Sequence, residues 1–293
     1  MFPRAKKSYS QNWLVDESVL ETILNAAQIK PGDKVLEIGP GTGILTQALV
    51  DSGARVTAIE ADHELIANLR NRFGDRVDLI SGDILTANIP LLTKEASLGS
   101  PVGLRPRVAV LRPRGLGEVA IRERSYSVVA NLPYSITSDV LKYFLSHRRK
   151  PSRIVLMLQR EVVDRITAKP GDMSLLSIVC QLYAHCEKIA DVPRGAFHPI
   201  PKVDSAIVRL DVIQDGSDRE REDVIGIAKA GFSSPRKQLH GNLARSLKTS
   251  SARVKEALAQ LGVDPKVRAE SLRVDQWILL THKLATHKPK TPG

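Results

Sequence analysis

The sequence feature that most restricts the fold is a glycine-rich turn between a short apolar segment and an amphipathic one. Val35–Ile38 is the apolar segment, Gly39-Pro40-Gly41-Thr42-Gly43 is the turn, and the amphipathic segment runs from Ile44 to Asp51. The short apolar run predicts a buried strand, and the apolar spacing after the turn predicts a helix. A strand, a glycine-rich turn and a helix in this order are typical of a ligand site in an α/β sheet. A dinucleotide-binding turn would need a third glycine or an alanine at position 44, which is Ile44.

Two further predicted strands each end near a carboxylate. Arg55–Ile59 precedes Glu60, and Val77–Ile80 precedes Ser81-Gly82-Asp83. Because the carboxyl ends of parallel strands meet at one edge of a sheet, we expect Glu60 and Asp83 to lie near the glycine-rich turn. Glu60 can accept both hydroxyls of a ribose, and Asp83 can accept an adenine amino group. The alternatives are a solvated Glu60 and an Asp83 that only stabilises its own turn.

A fourth predicted strand, Tyr126–Ala130, leads into Asn131-Leu132-Pro133-Tyr134. Proline cannot donate to a sheet, so these four residues should lie at the carboxyl edge of the strand. The asparagine carbonyl can accept a hydrogen bond from an exocyclic amine, and the tyrosine ring can stack on a base. An ordinary turn, with Asn131 near a helix start and Tyr134 in the core, is the simpler interpretation of these residues alone. The ligand-binding pattern upstream favours a site for a planar base.

Residues 87–124 interrupt the alternation of strands and helices. The segment holds four prolines, four glycines and seven basic residues against three acidic ones, which gives it a net charge of +4. A segment of this length inside a compact domain is usually a functional loop or disordered. We predict a basic, mostly irregular insertion with a short hairpin around Val108-Ala109-Val110. Its charges either contact RNA or are simply solvated.

The remainder of the chain predicts more strands and then a helical segment. The predicted strands are Arg153–Leu158, Glu187–Val192 and Ala206–Val212, with a proline-rich loop, Phe197-His198-Pro199-Ile200-Pro201-Lys202-Val203-Asp204-Ser205, before the last of them. Beyond Asp215 the apolar spacing is helical, and residues 216–293 carry 15 Lys and Arg against 8 Asp and Glu. We therefore predict two domains, an α/β domain over 1–215 and a small basic helical domain over 216–293 that binds RNA.

Composition restricts the compartment and the partners. The chain of 293 residues has a net charge of +11 and a sequence pI of about 9.7, so nucleic acid is the first partner to test. No apolar run is long enough to span a membrane and no apolar signal core follows the basic N-terminus, so we expect a cytoplasmic protein without membrane contact. Cys180 and Cys186 lack metal-binding spacing despite the adjacent His185, so we expect reduced thiols and no metal site.

Together these features resemble the ribosomal RNA small-subunit adenine N(6),N(6)-dimethyltransferase family, from about Ser10 to Leu280 apart from the insertion. The stretches that carry the resemblance are Gln11-Asn12-Trp13-Leu14, Glu37-Ile38-Gly39-Pro40-Gly41-Thr42-Gly43, Glu60, Gly82-Asp83, Asn131-Leu132-Pro133-Tyr134, Gln159-Arg160-Glu161-Val162, the proline-rich loop, Phe232-Ser233-Ser234-Pro235-Arg236-Lys237 and Arg268-Ala269-Glu270. The glycine-rich stretch marks only the wider methyltransferase class, whereas the Asn131 motif with the proline-rich loop is more specific. This sequence departs from the family at Ser10 and Ala130, where the family usually has Gly, and at Trp13, where it has Phe. The insertion is a further departure.

The resemblance implies both fold and activity. The implied fold is α/β, a class I (Rossmann-like) S-adenosylmethionine-dependent methyltransferase sheet with a small all-helical C-terminal domain. The implied reaction transfers methyl groups from S-adenosylmethionine to N(6) of two adjacent adenosines in a hairpin loop near the 3′ end of 16S rRNA. The implied partner is that rRNA within the immature small ribosomal subunit, and the enzyme is expected to act as a monomer.

The resemblance also implies roles for individual residues. The cofactor would be bound by Asn12, Leu14, Gly39, Gly41, Gly43, Glu60, Asp83 and Asn131. In catalysis, the Asn131 side chain and the main-chain carbonyl of Leu132 or Pro133 would accept the two hydrogens of the adenine amine. The rings of Tyr134 and Phe197 would hold the adenine between them.

Three other functions stay open on the sequence. The related 23S rRNA methyltransferases that confer macrolide resistance share the core motifs. A non-catalytic ribosome-assembly or transcription factor could retain the fold, although the intact ligand-site residues disfavour it. A small-molecule methyltransferase would not need the net charge of +7 on residues 216–293.

Overall fold

The computed structural model describes residues 12–87, 126–147 and 149–285, which form a mixed α/β protein. Most strands belong to one seven-stranded sheet, and two short strands form a separate ribbon. The strands in chain order are β1 (Trp13–Leu14), β2 (Lys34–Ile38), β3 (Arg55–Glu60), β4 (Val77–Ser81), β5 (Tyr126–Asn131), β6 (Arg153–Gln159), β7 (Ala184–Val192), β8 (Phe197–His198) and β9 (Ser205–Val212).

Helices follow most of the strands and continue to the end of the described chain. They are α1 (Glu17–Ala27), α2 (Ile44–Asp51), α3 (His63–Phe73), α4 (Thr137–Ser146), α5 (Arg160–Ile166), α6 (Leu175–Tyr183), α7 (Asp218–Gly231), α8 (Leu239–Ser246), α9 (Ser251–Ala259) and α10 (Val274–Ala285). Asp16 and Asp62 accept backbone amides at the starts of α1 and α3, and Ser174 forms a capping box at α6. None of the described helices is long and apolar enough to cross a membrane.

The sheet has the strand order β4-β3-β2-β5-β6-β9-β7. Its first five strands in that order are parallel, and β9 pairs antiparallel with both β6 and β7. The chain leaves β2 for β3 and β4 on one side, and then returns to β5 on the other side. This reversal makes a topological switch point between β2 and β5, where α/β sheets bind ligands at the carboxyl ends of their strands.

Alternate residues of the central strands face two hydrophobic cores. Along β5, Val129 belongs to the core that contains residues of α1 to α3, whereas Val128 and Ala130 belong to the core that contains residues of α4 to α6. Along β6, Val155 and Leu156 divide in the same way. This alternation shows that the sheet is covered on both faces. Its polar functional groups are therefore confined to the strand ends.

The C-terminal helices α7 to α10 continue the core that contains α6. Val224 and Trp277 are fully buried in it. Arg221 of α7 is 7% exposed, its Nε donates to the Leu182 carbonyl at 3.2 Å, and its guanidinium carbon lies 5.0 Å from the Tyr183 ring centroid. Apolar packing and a buried cation thus hold the helical segment against α6. A domain boundary at residues 215–216 stays a prediction.

The structure confirms the predicted α/β class and the seven main strands. Several strand ends differ from the prediction by one residue, and the largest difference is at β7, which begins at Ala184 rather than at Glu187 because it pairs with β9 as far as Val212. The β1–β8 ribbon has no signal in the sequence, because its strands are too short to show a periodicity. The predicted insertion lies outside the described residues apart from Ala87, and so does its hairpin around 108–110.

Candidate active site

A cleft opens at the switch point, at the carboxyl ends of β2, β3 and β5. Seven stretches of the chain line it, namely residues 12–14, 37–42, 44–45, 59–61, 83–84, 131–136 and 197. Every site residue predicted from the sequence is among them except Gly43. An added Cβ at Gly43 would lie 2.7 Å from the Phe73 ring, so this glycine is needed for packing behind the cleft.

The glycine-rich turn shapes the cleft, but its Gly39 and Gly41 amides are not free to donate to a ligand. Gly39 has a φ of 66°, and an added Cβ there would meet nothing within 4 Å, so its position borders open space. At Gly41 an added Cβ would lie 2.7 Å from the Trp13 ring. The amides of Gly39 and Gly41 already donate to the Ile59 carbonyl and the Glu60 carboxylate. The turn therefore leaves room for a ligand at Gly39, while these two N–H groups are engaged within the protein.

Glu60 is a buried, oriented carboxylate at the end of β3. It is 6% exposed, so the alternative of a solvated glutamate is wrong. Its Oε2 accepts the Gly41 amide at 3.1 Å and its Oε1 accepts the Asp62 amide at 2.9 Å. Burial raises the pKa of Glu60, and these two amides oppose the rise. Each oxygen keeps a lone pair beyond its amide, which suits the two hydroxyls of a sugar.

Asp83 lies where β4 leads out of the sheet. Its Oδ1 accepts the amide of Leu85 at 2.9 Å, so the predicted alternative of an Asx-type turn is present. This contact does not exclude ligand binding, because a carboxylate has a second oxygen and Asp83 is an exposed residue of the cleft lining.

Asn131 ends β5 and faces the N-terminal segment of the described chain. Its Nδ2 donates to the Asn12 carbonyl at 3.4 Å. Because the amide nitrogen is directed at a carbonyl, Oδ1 is the atom left to accept a hydrogen bond from a ligand. Asn131 lies near a helix start but does not cap it, since the N-cap positions are Pro133 for the 3-10 helix Tyr134–Ile136 and Ile136 for α4.

Tyr134 and Phe197 lie on the wall of the cleft and are held by different elements. The Tyr134 hydroxyl lies 2.8 Å from the Ser205 Oγ at the start of β9. Tyr134 is half-buried, so the alternative of a plain core tyrosine is wrong. Phe197 is 3% exposed and pairs with Leu14 in the β1–β8 ribbon. The ribbon thus brings the N-terminal segment and the proline-rich loop to the same cleft.

Glu37 is a residue of the site for which the sequence predicts no role. It lines the cleft, is 1% exposed, and its Oε2 has no hydrogen-bond partner among the described residues. Burial raises the pKa of Glu37 to about 8; the nearby Thr46 hydroxyl opposes this rise, and the neighbouring Glu60 adds to it. The available signal was a charged residue inside the apolar run Val35–Ile38.

The chemistry of the lining suits binding and alignment more than acid–base catalysis. It contains no His, Cys or Lys among the residues that the structure describes. Within the same ranges, no group of three or more His, Cys, Asp or Glu residues could hold a metal ion. The cleft offers instead the carboxylates of Glu60 and Asp83 for hydroxyl or amino groups, the buried carboxyl group of Glu37, an amide oxygen and three aromatic rings.

Comparison with known proteins identifies the family. Residues 3–286 match the family described as ribosomal RNA adenine dimethylase. Ribosomal RNA small subunit methyltransferase A of Thermosynechococcus vestitus is 38% identical over 293 residues, covering 96% of this chain and 97% of that protein. The protein of the same name from Dehalococcoides mccartyi is 38% identical over 280 residues, covering 94% and 86%.

Solved structures agree with this match. A 23S rRNA methyltransferase, ErmE, superposes with a TM-score of 0.70 at 26% identity, covering 94% of this chain and 100% of that one. A dimethyladenosine transferase from Plasmodium falciparum superposes with a TM-score of 0.71 at 25% identity, covering 93% and 97%. The chain therefore belongs to the ribosomal RNA adenine dimethylase family of S-adenosylmethionine-dependent methyltransferases.

Proposed function

We propose that this enzyme transfers methyl groups to N(6) of two adjacent adenosines in a hairpin loop near the 3′ end of 16S rRNA. Its substrate is the immature small ribosomal subunit in the cytoplasm, and it acts as a monomer. The observation that carries the proposal is the convergence of Glu60, Asp83, Asn131, Tyr134 and Phe197 on one cleft at the switch point of the sheet. Relatives of nearly the same length are named for methylation of small-subunit rRNA.

The cleft fits S-adenosylmethionine in shape and in donor chemistry. Open space at Gly39 leaves room beside the turn, and the buried Glu60 has lone pairs for two ribose hydroxyls. The free oxygen of Asp83 suits an adenine amino group. Asn12 and Leu14 also line the cleft, and the Asn12 carbonyl accepts the Asn131 amide nitrogen. When bound, the cofactor supplies an activated methyl group on a sulfonium.

The target adenine is held by groups at the end of β5. An adenine amine is a weak nucleophile because its lone pair is delocalised into the ring. Asn131 Oδ1 accepts one of its hydrogens in our proposal, and a main-chain carbonyl accepts the other. The Pro133 carbonyl already accepts the Ile136 amide at 3.2 Å, so we assign the second role to the Leu132 carbonyl. Two acceptors placed in this way favour a pyramidal amine whose lone pair is available for attack.

Alignment supplies most of the catalytic effect in this proposal. Tyr134 and Phe197 hold the two faces of the adenine ring, and the Ser205 hydroxyl fixes the tilt of Tyr134. Correct orientation of two reactants can be worth roughly 7–11 kcal/mol. No strong general base is needed, because the methylated amine is acidic and loses its proton to water. The absence of His, Cys and Lys from the described cleft lining agrees with this scheme.

Asn131→Ala tests this function most directly. Tritium transfer from labelled S-adenosylmethionine to unmethylated small subunits should fall roughly 100- to 1000-fold, as when a transition-state donor or acceptor is removed. Binding of the variant to subunits in a pull-down should be retained, because RNA affinity comes from distant basic residues. The matched control is Asn71→Ala, an exposed asparagine of α3, which should keep full activity.

Three outcomes would contradict the proposal in different ways. Full activity of Asn131→Ala would remove Asn131 from the mechanism. Wild-type transfer to large but not small subunits would instead assign the chain the activity for which the similar ErmE structure is named. Binding of small subunits without any methyl transfer by the wild type would indicate an assembly factor.

A further inference from the structure

The proline-rich loop between β8 and β9 presents two large aliphatic side chains to solvent. Ile200 is 65% exposed and Val203 is 44% exposed, whereas Pro201 between them is buried. Single exposed apolar residues are common on protein surfaces, so exposure alone decides nothing. This pair differs because a constrained loop holds it beside the cleft.

The loop is fixed at both ends. At its start, β8 pairs with β1. At its end, the Asp204 carbonyl accepts the Arg160 amide at 3.1 Å, and the Asp204 carboxylate accepts the Arg194 amide at 3.1 Å. The same carboxylate lies 3.4 Å from the Arg160 guanidinium. Prolines at 199 and 201 restrict φ between these anchors. Ile200 therefore cannot turn inward without breaking several contacts.

The loop begins at a residue of the cleft wall and ends at a residue that contacts this wall. Phe197 lines the cleft and precedes Ile200 by three residues, a span of at most about 11 Å. At the other end of the loop, the Ser205 Oγ lies 2.8 Å from the Tyr134 hydroxyl. The two residues proposed to hold the adenine are thus connected to the two ends of this loop.

Charge around the tip indicates which kind of partner it meets. Arg160, Arg194 and Lys202 are exposed on or beside the loop, and Asp204 pairs with Arg160 alone among them. Exposed cations around an apolar tip suit single-stranded nucleic acid, since the cations bind phosphates and the tip contacts base faces. If the partner were an apolar surface of another protein, the three cations would have no role in binding it.

We propose that Ile200, supported by Val203, packs against the base next to the adenine in the cleft and replaces the stacking that this base has lost. The inference rests on the proposed function, because an adenine must leave its stack before its amine can enter the cleft. Aliphatic side chains are inserted beside unstacked bases in other nucleic-acid complexes. With two adjacent adenosines as targets, the base under Ile200 is the second target while the first is methylated.

Ile200→Ser is the variant that tests this contact. Its kcat/KM on unmethylated small subunits should fall about tenfold, the effect expected when most of one aliphatic burial is lost. The thermal midpoint and the affinity for S-adenosylmethionine should not change, because Ile200 is outside the core. The matched control is Leu279→Ser on α10, which is 48% exposed and should leave kcat/KM unchanged.

Reconstituted subunits that lack the base on one side of the target adenosine identify the partner of Ile200. For one of the two neighbouring positions, wild-type kcat/KM should fall by a similar factor, and Ile200→Ser should add no further loss. Full activity of Ile200→Ser on intact subunits overturns the inference. The inference is also overturned if Ile200→Ser lowers kcat/KM further on both kinds of subunit that lack a neighbouring base. That result would assign the contact of Ile200 to another part of the subunit, such as a ribosomal protein. No transfer by the wild type to intact small subunits would instead reject the proposed function, and the inference with it.

Discussion

The Gly41 amide donates to the Glu60 carboxylate at 3.1 Å, which joins the glycine-rich turn after β2 to the end of β3. The second oxygen of Glu60 accepts the Asp62 amide at 2.9 Å. One buried carboxylate therefore shapes the turn and, in our proposal, also binds the ribose. A substitution at this position must be tested for both effects.

Glu60→Ala should weaken S-adenosylmethionine binding by about 1.5–3 kcal/mol, the usual range for hydrogen bonds to a charged group. Isothermal calorimetry measures the loss, and thermal unfolding reports the separate effect on the turn. Glu60→Gln keeps one acceptor oxygen and should lose less affinity. The control is Glu64→Ala at the exposed start of α3. A lower thermal midpoint with unchanged affinity would show that Glu60 serves the turn alone.

Much of this site could be predicted because each residue follows a recognisable strand. Glu60, Asp83 and Asn131 all lie within three residues after a predicted strand, and parallel strands bring their ends together. The roles of individual glycines could not be predicted, because the Trp13 ring that requires Gly41 approaches from a distant part of the chain. The unpartnered oxygen of Glu37 could not be predicted either. A sequence pattern does not show which buried polar groups find hydrogen-bond partners, and this oxygen has none among the described residues.

The ring and the hydroxyl of Tyr134 should contribute separately. Tyr134→Ala removes a stacking surface and should slow methyl transfer roughly 5- to 150-fold, the rate equivalent of about 1–3 kcal/mol per base. Tyr134→Phe keeps the ring but cannot bond to Ser205, so its rate should fall far less. Single-turnover transfer to small subunits measures both.

Ser205→Ala is the partner variant for the same pair. If the hydroxyls act together, the double variant Tyr134→Phe/Ser205→Ala should be no slower than the slower of the two single variants. Independent, additive losses would show that the 2.8 Å contact does not position the ring. A Tyr134→Ala enzyme with wild-type rates would remove the ring from the adenine site.

RNA affinity should depend on the exposed cations of the loop between α7 and α8. The Asn242 amide nitrogen donates to the Gly231 carbonyl at 2.7 Å and the Ser234 carbonyl at 2.9 Å, which holds the loop in place. Arg236 and Lys237 are exposed on that loop. Because the helical segment shares the core of the sheet, charge reversal tests it more cleanly than truncation.

The double variant Arg236→Glu/Lys237→Glu should bind small subunits less tightly and show a shallower dependence on salt. The slope of log affinity against log salt should fall by about one for each phosphate that the variant no longer binds. Lys30→Glu, an exposed lysine in the turn before β2, is the control and should keep the slope. An unchanged slope in the double variant would place the RNA surface on another part of the chain.

Glu37 predicts a specific pH dependence. Its pKa rises from 4.5 to about 8 on folding, so between these values the folded protein keeps a proton that the unfolded chain has lost. Stability should therefore fall as pH rises through this window, and Glu37→Gln should remove that part of the fall. Chemical denaturation of both proteins at pH 5 to 8 measures the difference. Parallel curves for the two proteins would mean that Glu37 titrates normally.

Cofactor binding should release the same proton. S-adenosylmethionine carries positive charge, and a cation in the cleft favours the ionised form of Glu37, whose Oε2 is unpartnered among the described residues. At pH 7 the binding enthalpy of the wild type should therefore vary with the ionisation enthalpy of the buffer. Glu60 also has a raised pKa, so Glu37→Gln should reduce the released protons without abolishing them. Equal proton release by the wild type and Glu37→Gln would place the cofactor's charge away from the end of β2.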